Sequence, residues 1–236
     1  MECGCPTGTH RVKILEGDLP LFPLNTVLFP QARLPLQIFE PRYREMIDRC
    51  LQEDLAFGVL LIKEGSEVGA AATPYEIGTL ARIVDVARLA DGRMNIIVAG
   101  ITRFKLMAQS TVHAYLSGRI VLLPDENVDL KQVERAARRA ARLFQEYADA
   151  FRSIGGTEEN EEKESLQLPK DPTVLSYSIA SSLPISMSDK QALLATPTTH
   201  QRLRREAAFL ERELQLLRLV TERSDQIRDQ GTFSLN

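Results

Sequence analysis

The chain has 236 residues, enough for one large domain or two small ones, each burying a core of its own. It is 44% hydrophobic and 26% charged with a formal net charge of −3, which argues against a general nucleic-acid binder, since such proteins carry surplus cations to neutralise phosphates. No window approaches the ~20 apolar residues that span a bilayer, and the start lacks the cationic and apolar runs of a signal peptide, so a cytoplasmic protein is expected; three cysteines fit a reducing compartment better than a disulfide framework.

Residues 1–18 read as a flexible tail, because MECGCPTGTH mixes small, turn-forming and polar types without period. Cys3, Cys5 and His10 lie in it. A structural zinc site wants four ligands, usually with two or more residues between cysteines; three ligands with a single intervening residue fit a tail better than a metal site.

Leu19 to Tyr43 (LPLFPLNTVLFPQARLPLQIFEPRY) is the stretch around which the chain is organised. Prolines at 20, 23, 30, 35 and 41 exclude a helix across it, and its two apolar runs, Leu21 to Phe29 and Leu34 to Phe39, read as bent strands. Proline removes a ladder donor, so such strands belong at edges, at bends, or with the proline nitrogen turned away from a neighbour. Glu40-Pro41 opens a helix, with proline where its missing N–H costs nothing, and Tyr43, Met46, Ile47 and Leu51 form its apolar stripe.

Ala56 to Lys63 has strand length, and Gly78 to Ala90 alternates with one slip that predicts a bulge. Asp91-Gly92 predicts a hairpin turn, Met94 to Ala99 the return strand, and Gly100 to Met107 and Tyr115 to Leu123 two more; in Gly100 to Met107, Ile101, Phe104 and Leu106 alternate against Thr102, Arg103 and Lys105. Six or seven strands on short turns with one helix close most easily into a small barrel, placed at residues 19–124.

Past Pro124 the period becomes helical, and residues 125–224 are expected to form a bundle of about four helices. Val133, Ala136, Ala137, Ala140, Leu143, Phe144, Tyr147 and Phe151 give one long amphipathic helix, whose other face carries Lys131, Arg135, Arg138, Arg139 and Arg142. Without interleaved aromatics or a phosphate loop, that cationic face reads as solvated. Gly155-Gly156 ends the helix, and residues 155–170, with five glutamates in TEENEEKES, are expected to form a flexible acidic loop. Asp171-Pro172 caps the next helix, with Val174, Leu175, Ile179 and Leu183 on its buried side; Ser188 with Gln191 predicts a capping box for a short one, and Thr198 with Gln201 another. Leu203, Ala207, Leu210, Leu214 and Leu217 step by four and three along the last helix, and residues 225–236 read as a tail.

The sequence contains no G-x-x-x-x-G-K-[ST], G-x-S-x-G or H-E-x-x-H, nor any Gly-Lys pair. His10, His113 and His200 have no neighbouring partners that would make a base or a ligand set. No catalytic residue, cofactor or metal is expected.

The runs LPLFPLNTVLFP, LPLQIFEPRYREMI, FGVLLIKEGSEVG, IGTLARI, DGRMNIIVAGITRF, DPTVLSYSIASSLPIS and KQALLATP, in that order, resemble the N-terminal substrate-binding domain of the Lon family of ATP-dependent proteases from about Leu19 to Leu219. The resemblance implies a PUA-like β-barrel followed by a helical subdomain, an α+β chain, and a role in recognising unfolded or tagged polypeptides. Full proteases of the family continue into an AAA+ module and a Ser–Lys protease. This sequence ends at Asn236 and resembles stand-alone bacterial Lon-domain proteins, so neither ATPase nor peptidase activity is expected.

The expected function is non-catalytic binding of unfolded or client polypeptides, as an adaptor in protein quality control with a protease or chaperone as further partner; no membrane partner is expected, and a homo-oligomer is compatible. The alternative is RNA binding through the barrel and the basic helix. The candidate peptide surface is Phe22, Pro23, Leu24, Phe29, Leu34, Pro35 and Ile38, where an unpaired strand edge could accept an extended peptide. The competing reading makes Phe22, Leu24, Phe29, Leu36 and Phe39 core, because alternating apolar residues of a barrel point inward.

Overall fold

A computed structural model describes residues 18–67, 72–126, 129–154 and 167–232, without the side chains of 153–154 and 220–232. The chain divides into two units, Met1–Pro124 and Asp125–Asn236. The N-terminal expectations about Cys3, Cys5 and His10, and most of the acidic loop, lie outside the described residues.

The first unit is built from β1 (Leu19–Leu24), β2 (Arg33–Ile38), α1 (Pro41–Glu53), β3 (Phe57–Glu64), β4 (Thr73–Pro74), β5 (Ile77–Arg88), β6 (Met94–Ser110) and β7 (Ser117–Leu123). Pairing runs β1–β7–β6–β5–β3, and β3 returns to pair with β1 in parallel, so five strands close into a ring. β4 extends β3, and β2 pairs with the Met94–Ala99 half of β6.

Every residue of β1 is buried, because its two faces meet two cores. Leu19 and Leu21 join Leu60, Leu80, Phe104 and Leu106 in one cluster. Phe22 and Leu24 join Ile38, Tyr43, Met46, Ile47, Phe57 and Ile96 in the other, which also packs α1. This is why LPLFPL reads as a nearly continuous apolar run.

The prolines of β1 do not place it at an edge. Leu21 N–H donates to Leu116 O, on the β7 side, at 2.8 Å, and strand amides alternate sides. Pro23 nitrogen therefore faces the β7 side, where pairing stops at Pro20, and Pro20 nitrogen faces the β3 side, where pairing starts only at Leu21. Each missing donor falls where no ladder partner waits.

The β5–β6 connection turns at Leu89–Arg93, with Gly92 at φ +81°, a conformation that costs glycine little. The bulge expected in β5 is present: the register slips between Ile83 and Asp85, leaving Val84 extra. The return strand and its successor are one strand of 17 residues, and a second slip opposite Leu80 and Ala81 lets β6 serve β2 and β5 first, then β5 and β7. Arg103, grouped by alternation with the outward side chains, is 2% exposed, and its Nη2 reaches Pro124 O.

The second unit holds α2 (Leu130–Ile154), α3 (Pro172–Ser182), α4 (Met187–Leu194) and α5 (Thr199–Thr232). Val133, Ala137, Ala140, Leu143 and Phe144 of α2 are buried, as are Leu203, Ala207, Leu210 and Leu214 of α5. Asp171 caps α3 by accepting from Thr173 and Val174 amides, both at 2.9 Å. The cap of α4 is Ser186 and not Ser188: its hydroxyl accepts from Asp189 N–H at 3.1 Å, because Pro184 ends α3 early enough for the next helix to begin two residues sooner. α5 continues to Thr232, through the stretch expected to be tail; no proline interrupts it and its only late glycine is Gly231.

No described helix is long and apolar enough to cross a membrane.

Candidate functional site

The residues that carried the peptide-surface expectation divide sharply. Phe22, Leu24, Phe29 and Ile38 are 1–5% exposed, and Pro23 is buried. Phe22 packs its ring 4.2 Å from that of Tyr43 and 6.4 Å from that of Phe57, so the helix opened by Pro41 is what covers it. Those five are core. Leu34 is half-buried and Pro35 exposed, which leaves β2 alone as accessible surface. Phe39, which the competing reading made core, is 48% exposed.

Gly100 N–H donates to Ala32 O, so by alternation Leu34, Leu36 and Ile38 direct their backbone groups to β6, and Arg33, Pro35 and Gln37 direct theirs outward. The middle position of that outer edge is the proline and offers no donor. The edge is blunted against strand addition, as sheet edges commonly are. What β2 presents instead is a face: Pro35 lies across from Ile97, and Arg33 across from Ala99, which in turn pairs with Arg82, and Val84 beside them is 40% exposed.

The second unit holds a groove that the sequence reading missed. It encloses about 400 Å³ between α4 and α5, lined by Asp189, Ala192, Leu193, Arg205, Ala208, Phe209 and Arg212. Ala192 and Ala208 are exposed, and their short side chains are what leave the space open. Arg212 stands over the Phe209 ring, 5.4 Å from its centre. Arg205 Nη1 donates to Thr196 Oγ1 at 3.0 Å and to Ala192 O at 3.4 Å. A signal existed: Arg205, Phe209, Arg212, Leu216 and Leu219 step by four, three, four and three along the same helix as the buried seam.

Beside the groove's back wall lies a buried polar network. Arg202, fully buried, donates from Nη1 to Asp125 Oδ1 at 2.9 Å and from Nε to Ser176 Oγ at 2.7 Å, and stacks on Tyr177 with its guanidinium carbon 4.0 Å from the ring centre. Tyr177 O–H also donates to Asp125. Glu206, one turn on, accepts from Ser176 Oγ at 2.8 Å, and burial pushes its carboxyl up to about 8 against the pull of Ser176 and Arg202. This network joins α3 and α5 to the segment before α2, away from solvent, so it is structural.

Chemistry-bearing groups elsewhere do not converge. His113 Nε2 lies 3.2 Å from Arg49 Nη1 and its ring stacks on Tyr115; His200 sits in the first turn of α5. Cys50 is buried and its thiol is pushed up to about 12, far from a reactive thiolate. Among the described residues no three His, Cys, Asp or Glu side chains cluster to hold a metal. The cations of α2 are partly neutralised by neighbours: Arg139 pairs with Glu211 at 2.6 Å, Arg142 with Glu146 at 3.8 Å and Arg138 with Glu134 at 3.9 Å. That pairing weakens the helix as a phosphate-binding surface.

Solved Lon N-terminal domains share this fold. A Lon N-terminal domain protein from Xanthomonas campestris matches with TM-score 0.57 and 25% identity, over 81% of this chain and 97% of that one. The N-terminal domain of a Mycobacterium avium complex Lon protease matches in fold with TM-score 0.62, 18% identity, and coverage of 82% and 98%. The chain belongs to the family described as the ATP-dependent protease La (LON) substrate-binding domain, which it matches over residues 18–212. Lon protease 2 of Sorangium cellulosum is 27% identical over 98% of this chain and 29% of its own length. Lon protease of Escherichia coli K12 is 25% identical over 90% and 27%. The chain thus spans under a third of these relatives.

Proposed function

We propose that this protein binds exposed apolar segments of unfolded or client polypeptides without catalysing a reaction on them, and delivers them to a separate protease or chaperone as an adaptor. The observation that carries the reading is membership of the substrate-binding family over residues 18–212. Accessible apolar surface supports it: Pro35, Ile97 and Val84 on the outer face of the barrel unit, and the α4–α5 groove in the helical unit. Recognition here relies on contact area and backbone groups, the usual means of reading extended or helical segments.

The test is binding of the full chain to a permanently unfolded polypeptide, such as reduced and alkylated lactalbumin, against the same protein native and disulfide-intact. Selective binding of the unfolded form with a Kd of about 10 μM or tighter is expected. Equal or absent binding to both forms at that concentration rejects the reading. Casein incubated with the chain, with and without ATP, should remain uncut.

A further inference from the structure

α5 carries two stripes. One, Leu203, Ala207, Leu210 and Leu214, is buried within the helical unit. The other runs Arg205, Phe209, Arg212, Leu216, Leu219 with the alternating four-and-three spacing that places side chains in one row for a packing helix. α4 flanks only the start of the second row, where Ala192 and Leu193 form the opposite wall of the groove. Further along, Leu216 and Leu219 are 50% and 62% exposed. A row of this spacing, walled at one end and open at the other, has the form of a site for an amphipathic helix.

The charge around the row decides which helix. Arg205 bonds only neutral groups, the Ala192 carbonyl and the Thr196 hydroxyl, and has no carboxylate within ion-pair distance among the described residues. Arg212, by contrast, is paired with Glu213, its Nη2 and Nε donating to Oε1 at 3.0 and 3.3 Å. The single acid of the groove, Asp189, is turned to its own helix start, where its carboxylate accepts from Ser186 Oγ at 2.7 Å. Arg205 is therefore the rim cation that no carboxylate meets among the described residues, above an apolar floor of Ala192, Ala208 and Phe209.

We propose that the α4–α5 groove and the second stripe of α5 receive a client segment that forms an amphipathic helix, with large apolar residues at three- and four-residue spacing flanked by glutamate or aspartate. The apolar anchor occupies the space left open by Ala192 and Ala208, and a flanking carboxylate meets Arg205. The proposal rests on the polypeptide-binding reading and assigns it a location and a sequence preference.

Two fluorescein-labelled peptides of the same length test it with the full chain, both with leucine and phenylalanine at helical spacing, one with glutamates and the other with lysines at the remaining positions. The glutamate peptide is expected to bind about tenfold or more tightly than the lysine peptide. Ala208→Glu and Ala192→Glu, on opposite walls and both at exposed positions, are each expected to weaken it by about tenfold with helical circular dichroism unchanged, and Arg205→Glu to erase the preference between peptides. Equal affinity for the two peptides, or wild-type affinity in both wall variants, overturns the groove. Alkylated lactalbumin measured alongside separates the two ideas: retained lactalbumin binding in the wall variants together with unchanged peptide binding removes the groove and leaves the reading, whereas a wild-type chain that binds neither peptide nor lactalbumin removes both. If sedimentation shows a wild-type dimer that Ala208→Glu makes monomeric, the stripe is a contact between copies of this chain and the proposal is overturned.

Discussion

The two units solve the problem of a unique interior in opposite ways. In the barrel unit, Leu19, Leu21, Leu60, Leu80, Phe104 and Leu106 form one apolar cluster, the buried polar side chains Thr79, Arg103 and Ser117 bond backbone carbonyls, and ladder hydrogen bonds running round a closed ring set the register of its five strands. In the helical unit the interior includes Arg202, Glu206, Ser176, Thr199 and Gln191. Helices satisfy their backbone internally and can slide along one another at little cost, so polar side chains with directional partners are what fix α3 against α5. The barrel takes its specificity from the backbone, the helical unit from its side chains.

Disrupting the Arg202 network gives the largest expected effect. Arg202→Met keeps the volume and removes the bonds to Asp125 and Ser176; breaking a buried ion pair from one side costs about 3–5 kcal/mol. Urea unfolding followed by helical circular dichroism should show that loss, and adding Asp125→Asn should recover part of it, the excess measuring the coupling. A loss under about 1 kcal/mol would mean that packing alone orders the helices.

Glu206 sharpens the same comparison through pH. Its folded carboxyl holds a proton up to about 8, while the unfolded chain releases it near the ordinary 4.5. Between those values the native state binds more protons, so stability falls as pH rises from 4.5 to 8 and levels off above. Glu206→Gln keeps an acceptor for Ser176 and carries no titrating proton; its unfolding free energy should be flatter across that window, with the variant more stable than wild type at the alkaline end by about 1 kcal/mol or more. Equal slopes in the two proteins would show that Glu206 is ionised in the native state.

How far the sequence foretold all this follows the range of the interactions. The Asp91-Gly92 turn, Pro41 at the start of α1 and the Asp171 cap are set by neighbours within a few residues, and each lies where its local chemistry predicts. Phe22 and Phe29 were ambiguous because their exposure depends on α1 and on ring closure through the β1–β3 pairing, neither of which alternation within LPLFPL can express. Arg202 and Glu206 flank the seam of α5 one turn apart and look like a solvated pair until Ser176 and Asp125, far off in sequence, are brought to them. The groove was missed for a related reason: Leu203 to Leu217 gave a satisfying seam, and the second row beside it has two arginines among its five members, which masks its apolar character.

In the barrel the comparison is broken by volume, at the apolar cluster inside the ring. A Cβ added at Gly58 would lie 2.6 Å from Phe104 Cζ and 2.7 Å from Leu21 Cδ2, both inside the ring. Gly58→Ala should cost about 1–3 kcal/mol by overpacking, and Phe104→Leu in the same chain should recover some of it by vacating the space. The helical unit should keep its own transition in both variants.

The smallest effect concerns what the helical unit needs and the ring does not. A closed ring pairs its strands on both sides, whereas every helix leaves its first amides without intrahelical partners. At α4 the amide of Asp189 is taken by Ser186, and Ser188 only bonds the Ser186 hydroxyl at 2.8 Å. Ser186→Ala should therefore destabilise the helical unit by about 1 kcal/mol, while Ser188→Ala, an exposed residue past the cap, should stay within about 0.5 kcal/mol of wild type. The reverse order would put the start of α4 at Ser188, where the spacing to Gln191 alone had placed it, and would shift the α4 wall of the groove with it.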